Sequence, residues 1–133
     1  MRSLRGIVAA AFGFVMLCGC APLVLVGVGA AGGVTGLKYY EGALTAVFQA
    51  SFDRTWEAAE QTLENRKVDI DLRQRNLGSA KLSGQDLRGR PYTITFKYIT
   101  PEETETVIRV GHLGDKEASL RVKEEIREIL FDQ

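Results

Sequence analysis

The chain has two cysteines, one histidine, three prolines and one tryptophan in 133 residues, and its 17 basic side chains match its 17 acidic ones. Each shortage excludes something. Two cysteines cannot build a disulfide framework. One histidine beside so few cysteines leaves no zinc set. No Gly-x-Ser-x-Gly elbow is present, so the usual serine-hydrolase nucleophile has no seat. A balanced charge gives no electrostatic footprint for nucleic acid.

What is there begins at the N-terminus. Met1-Arg2-Ser3-Leu4-Arg5 is a basic start, and Ile7 to Leu17 is an uncharged, largely apolar run. Leu17-Cys18-Gly19-Cys20 closes that run with small side chains beside a thiol. A basic n-region, an h-region and a small-residue cleavage point make a secretory signal peptide. One that stops at a cysteine resembles a bacterial lipobox. That resemblance implies a diacylglyceryl thioether on Cys20, cleavage after Gly19 and a mature chain that starts at acylated Cys20. Ala21, next to the anchor, implies delivery to the outer membrane, on its periplasmic face, if the host is Gram-negative. The expected division is 1–19 signal peptide, 20–43 lipidated cysteine with a Gly/Ala-rich apolar tether, and 44–133 a soluble domain. Left uncleaved, residues 7–37 would be long enough to span a bilayer, which takes about 20 apolar residues.

Gly27-Val28-Gly29-Ala30-Ala31-Gly32 matches the dinucleotide fingerprint letter for letter. The fingerprint requires a strand, a helix and a second parallel strand around it. The chain does not continue that way, so no cofactor is assigned. Gly29 and Gly33, like Gly32 and Gly36, are four apart, which would suit close helix packing. A flexible segment near the bilayer surface is the other reading.

Beyond the tether the periodicity changes. Leu44, Ala46 and Phe48 alternate as a first strand. Ser51 or Asp53 can cap the helix that follows, in which Phe52, Trp56, Ala59 and Leu63 form an apolar stripe. Val68 to Arg73 alternates, with Val68, Ile70 and Leu72 expected inward. Asn76-Leu77-Gly78 is a turn, and Ala80 and Leu82 continue the buried face. Gly84 to Pro91 is a connection rich in breaker residues. Tyr92 to Tyr98 is the strongest strand, with Tyr92, Ile94, Phe96 and Tyr98 facing one way. Its aromatic alternation loosely resembles an RNA-recognition strand, but burial alone explains it. Thr104 to Gly111 returns, and Asp115 caps a last helix with Val122, Ile126, Ile129 and Leu130 buried and Lys123 exposed.

The order β-α-β-β-β-β-α predicts an α+β two-layer domain: an antiparallel sheet of four to five strands with both helices on one face. The expected core is Phe48, Trp56, Leu63, Val68, Ile70, Leu72, Leu82, Ile94, Phe96, Ile108, Val110, Val122, Ile126 and Ile129.

Lipobox, Gly/Ala-rich segment, Tyr39-Tyr40-Glu41-Gly42, Phe52-Asp53-Arg54-Thr55-Trp56-Glu57-Ala58 and Arg109-Val110-Gly111-His112-Leu113-Gly114-Asp115 together resemble the small bacterial lipoproteins grouped as the DUF3568 family. The resemblance implies an envelope compartment and supplies no mechanism.

Charge is unevenly placed. Residues 66–97 carry eight basic side chains against three acidic ones, whereas 98–133 carry nine acidic against five basic. Arg73, Arg75, Lys81, Arg88, Arg90 and Lys97 form a candidate basic patch toward anionic lipid, an envelope protein or a surface polysaccharide; a solvated strand face partly neutralised by the helices is the plainer explanation. The expected function is a non-enzymatic, membrane-anchored envelope lipoprotein that binds or scaffolds a partner, with no metal and no nucleic acid. One alternative is an enzyme or pH sensor centred on His112. Another is a spacer that oligomerises through the glycine-rich segment.

Overall fold

The computed structural model describes residues 33–132. The expected lipobox, Cys20 and the glycine run through Gly32 lie outside the described residues. Six strands form one antiparallel sheet: β1 Val34–Tyr40, β2 Ala43–Phe48, β3 Asp69–Asn76, β4 Ser79–Gln85, β5 Pro91–Thr100 and β6 Glu103–Val110. Their spatial order is β1-β2-β6-β5-β4-β3. Helices α1 (Phe52–Asn65) and α2 (Lys116–Phe131) complete the fold. Both lie on the sheet face that carries Leu44, Phe48, Leu82, Ile94, Phe96 and Ile108, all fully buried.

The sheet begins ten residues earlier than Leu44. Val34–Tyr40 had the composition of a tether, yet it pairs with β2 from Val34 opposite Phe48 to Tyr40 opposite Ala43. Glu41 and Gly42 join the two strands with φ of 48° and 81°. Positive φ at both central residues is the type I′ pattern, whose twist matches that of the flanking strands. Polar side chains and Gly36, where the register shifts, hide the alternation of this edge strand.

Ser51 caps α1, accepting from the Arg54 amide at 3.4 Å. Trp56, Ala59 and Leu63 pack inward, as their spacing predicts. At the far end the Val68 amide donates to Leu63 and the Lys67 amide to Glu64, with Lys67 at φ 59°. These are the paired bonds of a Schellman stop. Asp115 caps α2 through the Ala118 amide at 3.0 Å. The two helices are joined by a two-pronged Arg66–Glu125 pair, at 2.8 and 2.7 Å, and by Arg54 donating to the Leu130 carbonyl at 2.9 Å.

Three core expectations need correction. Leu72 is exposed, at 38 %. A bulge between Ile70 and Leu72 places an extra residue in β3, and an inserted residue reverses the faces of everything after it. Leu72 thus stands opposite Ser83 on the outer face, while Arg73 stands opposite buried Leu82 and Arg75 opposite buried Ala80. Gly84 makes room for the bulge, since a Cβ there would overlap the Asp69 carbonyl oxygen. Ile70 and Ile129 are only half-buried against the core. Lys123, expected in water, is buried along its stem, with its Nζ 3.1 Å from Glu124, the arrangement long cationic side chains adopt beside apolar surface.

Among the described residues no helix is long and apolar enough to cross a membrane.

Candidate functional site

The six basic residues do not form one surface. Arg73 and Arg75, turned to the helix side by the bulge, meet the acidic face of α1. Arg73 pairs with Glu60 and lies 3.8 Å from Glu64, and Arg75 pairs with Asp53. The Arg75 guanidinium also sits 5.5 Å from the Phe52 ring centre and 5.3 Å from that of Trp56. Trp56 in turn contacts Phe96, with ring centres 5.4 Å apart. Arg90 pairs with Asp115 at the start of α2. Arg88 lies exposed in the β4–β5 loop, its amide bonded to the Asp86 carboxylate at 2.8 Å. Three members of the patch are therefore held by the molecule's own acids.

Lys81 and Lys97 belong to a different place. With both helices on one side, the other face of the sheet has nothing over it among the described residues. Strand registers lay out its rows. Gln74, Lys81, Thr95, Val107, Thr45 and Lys38 stand side by side across all six strands. The next row holds Asn76, Ser79, Lys97, Glu105, Val47 and Thr35. Arg109 continues this face beside Thr93. It is a surface of hydroxyls, valines and lysines in which one acid, Glu105, stands opposite Lys97, able to offer hydrogen bonds and positive charge. Lys38 and Arg109 were missed in the sequence. The alternation of β6 would have placed Arg109; Lys38 was hidden in the tether.

The third locus is the loop end where β1–β2, β4–β5 and β6–α2 meet. Gly42 and Gly114 touch backbone to backbone. A Cβ on Gly42 would lie 2.5 Å from the Leu113 carbonyl oxygen, and one on Gly114 would overlap the Gly42 Cα. Tyr39 lies under the Lys116 ammonium, 5.7 Å from ring centre to Nζ. A shallow cavity of about 290 Å³ beside Arg90, Leu113 and Asp115 includes His112. His112 is exposed, and its carbonyl accepts from Arg109 at 3.1 Å. The Ala118 amide and then Arg90 hold the Asp115 carboxyl below its ordinary value. At the opposite end, a polar depression of about 580 Å³ has Arg54, Glu102 and Glu103 in its wall. Arg54, which also donates to the Leu130 carbonyl, sets one guanidinium beside the two carboxylates there. Among the described residues no three His, Cys, Asp or Glu side chains are grouped to hold a metal ion.

The motifs that tie the sequence to a family have structural work. Tyr39-Tyr40-Glu41-Gly42 makes the hairpin turn, Phe52 to Ala58 starts α1, and Arg109 to Asp115 makes the loop on which that hairpin rests. No curated protein matches the chain. The model of the family described as "Protein of unknown function (DUF3568)" matches residues 4–129, and the chain belongs to that family.

Proposed function

We propose that this protein is a non-enzymatic envelope lipoprotein, anchored in the membrane through acylated Cys20, that binds an envelope protein or a surface polymer. The anchor half of this reading rests on Leu17-Cys18-Gly19-Cys20 at the end of a signal-peptide run. The binding half rests on one observation: a six-stranded sheet with both helices on one face and its other face uncovered among the described residues. Antiparallel sheets tolerate one wetted face, and here that face combines Lys38, Lys81, Lys97 and Arg109 with rows of threonine and serine around one acid, Glu105. Charged and hydroxyl groups at this density suit an anionic, hydrogen-bonding partner. Arg73, Arg75 and Arg90 are left out of the surface because their charge is already met.

The test is a photo-crosslinking amino acid placed in living cells at Thr95, in the middle of the open face, and at Gln61, on the outside of α1. The reading predicts a discrete crosslinked species from Thr95 that disappears when Lys81 and Lys97 are both changed to Glu. Equal crosslinking from both positions, or a Thr95 product indifferent to the charge reversal, would remove the open face as the binding surface.

A further inference from the structure

The registers give the open face an inner plan. Thr95, Val107 and Thr45 stand side by side on β5, β6 and β2. Lys81 adjoins Thr95 at one end of this short row, and Lys38 adjoins Thr45 at the other. Lys97 stands two residues along β5 from Thr95, and Arg109 two residues along β6 from Val107 in the opposite direction. Three short side chains are thus bordered by four cations, with one acid, Glu105, beside Lys97. At the usual strand spacing, Lys81 and Lys38 are rooted about 19 Å apart, and Lys97 and Arg109 about 14 Å apart.

The charges on this border are unmet. Elsewhere Arg66, Arg73, Arg75, Arg90, Lys123 and Arg127 each pair with a carboxylate. Among the described residues none of the four border cations does so. Lys38 lies 6.0 Å from the Tyr40 ring centre, and Arg109 gives one N–H to the His112 carbonyl. The hydroxyls within the border are unmet too. Buried Thr104 and Thr106 donate to the Ala50 and Ala46 carbonyls at 3.0 and 3.1 Å, whereas Thr45 and Thr95 have no such partner among the described residues.

We infer that the occupant of this area is a polyanionic polysaccharide, an extended sugar chain that carries carboxylate or phosphate groups. The inference rests on the reading that the open face is the binding surface. The four unmet cations complement the acidic groups of such a chain, and the free threonine hydroxyls can both give to and accept from its hydroxyls. The spacing selects a polymer. A small anion reaches one or two of these cations, whereas a chain laid across the strands reaches from Lys81 to Lys38. A folded protein partner would be anchored by aromatic or other apolar side chains at the centre of the contact, where charge is depleted. Neither this row nor the next one, through Lys97, holds an exposed large apolar side chain.

The experiment uses the full chain in neutral phosphatidylcholine nanodiscs, titrated with fluorescent decagalacturonate and followed by polarisation. Digalacturonate, polyglutamate and neutral dextran are the comparison probes. The inference predicts saturable binding of decagalacturonate, about tenfold or more tighter than digalacturonate or polyglutamate, and no binding of dextran. Lys81→Gln with Lys97→Gln, and separately Lys38→Gln with Arg109→Gln, should each weaken it by about tenfold. Lys116→Gln with Arg121→Gln, on α2, should leave it unchanged. Thermal unfolding of each variant checks that it folds. Decagalacturonate bound no more tightly than digalacturonate or polyglutamate, not bound at all, or bound equally after all three double substitutions, overturns the inference. If it fails in this way while Thr95 still crosslinks in cells to a protein or a phospholipid, dependent on Lys81 and Lys97, the open face stands as the binding surface and only the polysaccharide falls. If the charge-dependent crosslink fails as well, both fall.

Discussion

The Arg75 guanidinium lies over the Trp56 indole, 5.3 Å from its centre, while its fork pairs with Asp53. An edge-strand cation is thereby held to the helix that covers the core. An exposed cation–π contact contributes about 0.5–1 kcal/mol, and a surface ion pair up to about 1 kcal/mol. Arg75→Ala should therefore destabilise the domain by about 1–2 kcal/mol in urea unfolding. Asp53→Ala should cost less, because it leaves the ring contact in place. An Arg75→Ala protein with an unchanged unfolding midpoint would contradict the assignment.

Gly42 and Gly114 bring the β1–β2 turn onto the β6–α2 loop with no room for a side chain. Both also have positive φ, 81° in each case, where an L-residue is strained by about 1–2 kcal/mol. Gly114→Ala adds a backbone overlap to that strain and should cost at least about 2–4 kcal/mol. Thermal unfolding measures it. A loss no larger than the backbone strain of about 1–2 kcal/mol would mean the two loops are not in contact.

Asp115 gives stability a pH dependence. Its folded pKa lies below the ordinary 3.8, first because of the Ala118 amide and then because of Arg90. Its contribution is present above the unfolded value and is lost as pH falls through the folded one. Stability should decline on acidification below about pH 4. Asp115→Asn should be less stable at neutral pH and show a shallower acid decline. Identical acid slopes for the two proteins would rule out this role.

The bulge in β3 makes a contrast that uniform alternation does not. Leu72 is on the outer face and Leu82 on the inner. Leu82→Ala should cost about 2–5 kcal/mol as a core cavity, and Leu72→Ala less than about 1 kcal/mol. Comparable losses in equilibrium unfolding would place Leu72 back in the core.

That contrast also shows how far the sequence could be read. Strong alternation in Tyr92 to Phe96 and helical spacing in Phe52 to Leu63 each follow from burying one face, and the structure has them where the pattern puts them. Asp115 was legible as a cap, and Ser51 as one of two candidates with Asp53, for the same local reason. The bulge was not legible, because Asp69 to Arg73 alternates perfectly as letters and only the pairing with Gly84 reverses it. β1 was missed because its Gly36 and its exposed Leu37, Lys38 and Tyr40 weaken its pattern. The basic patch divides through the same reversal: partial neutralisation by the helices was legible from the acidic residues of the first helix, but which cations it takes was not, and one extra residue turned Arg73 and Arg75 onto Asp53, Glu60 and Glu64. Which lysines share the open face depends on strand order, and β1-β2-β6-β5-β4-β3 is set by pairing between distant segments.

The proposed anchor at Cys20 carries the account, and it is tested most directly by the intact mass of the N-terminal peptide from membrane-extracted protein, beside a Cys20→Ser variant. The account predicts a diacylated or triacylated peptide that begins at Cys20, absent from the variant. An unmodified peptide that begins at Met1 would contradict it.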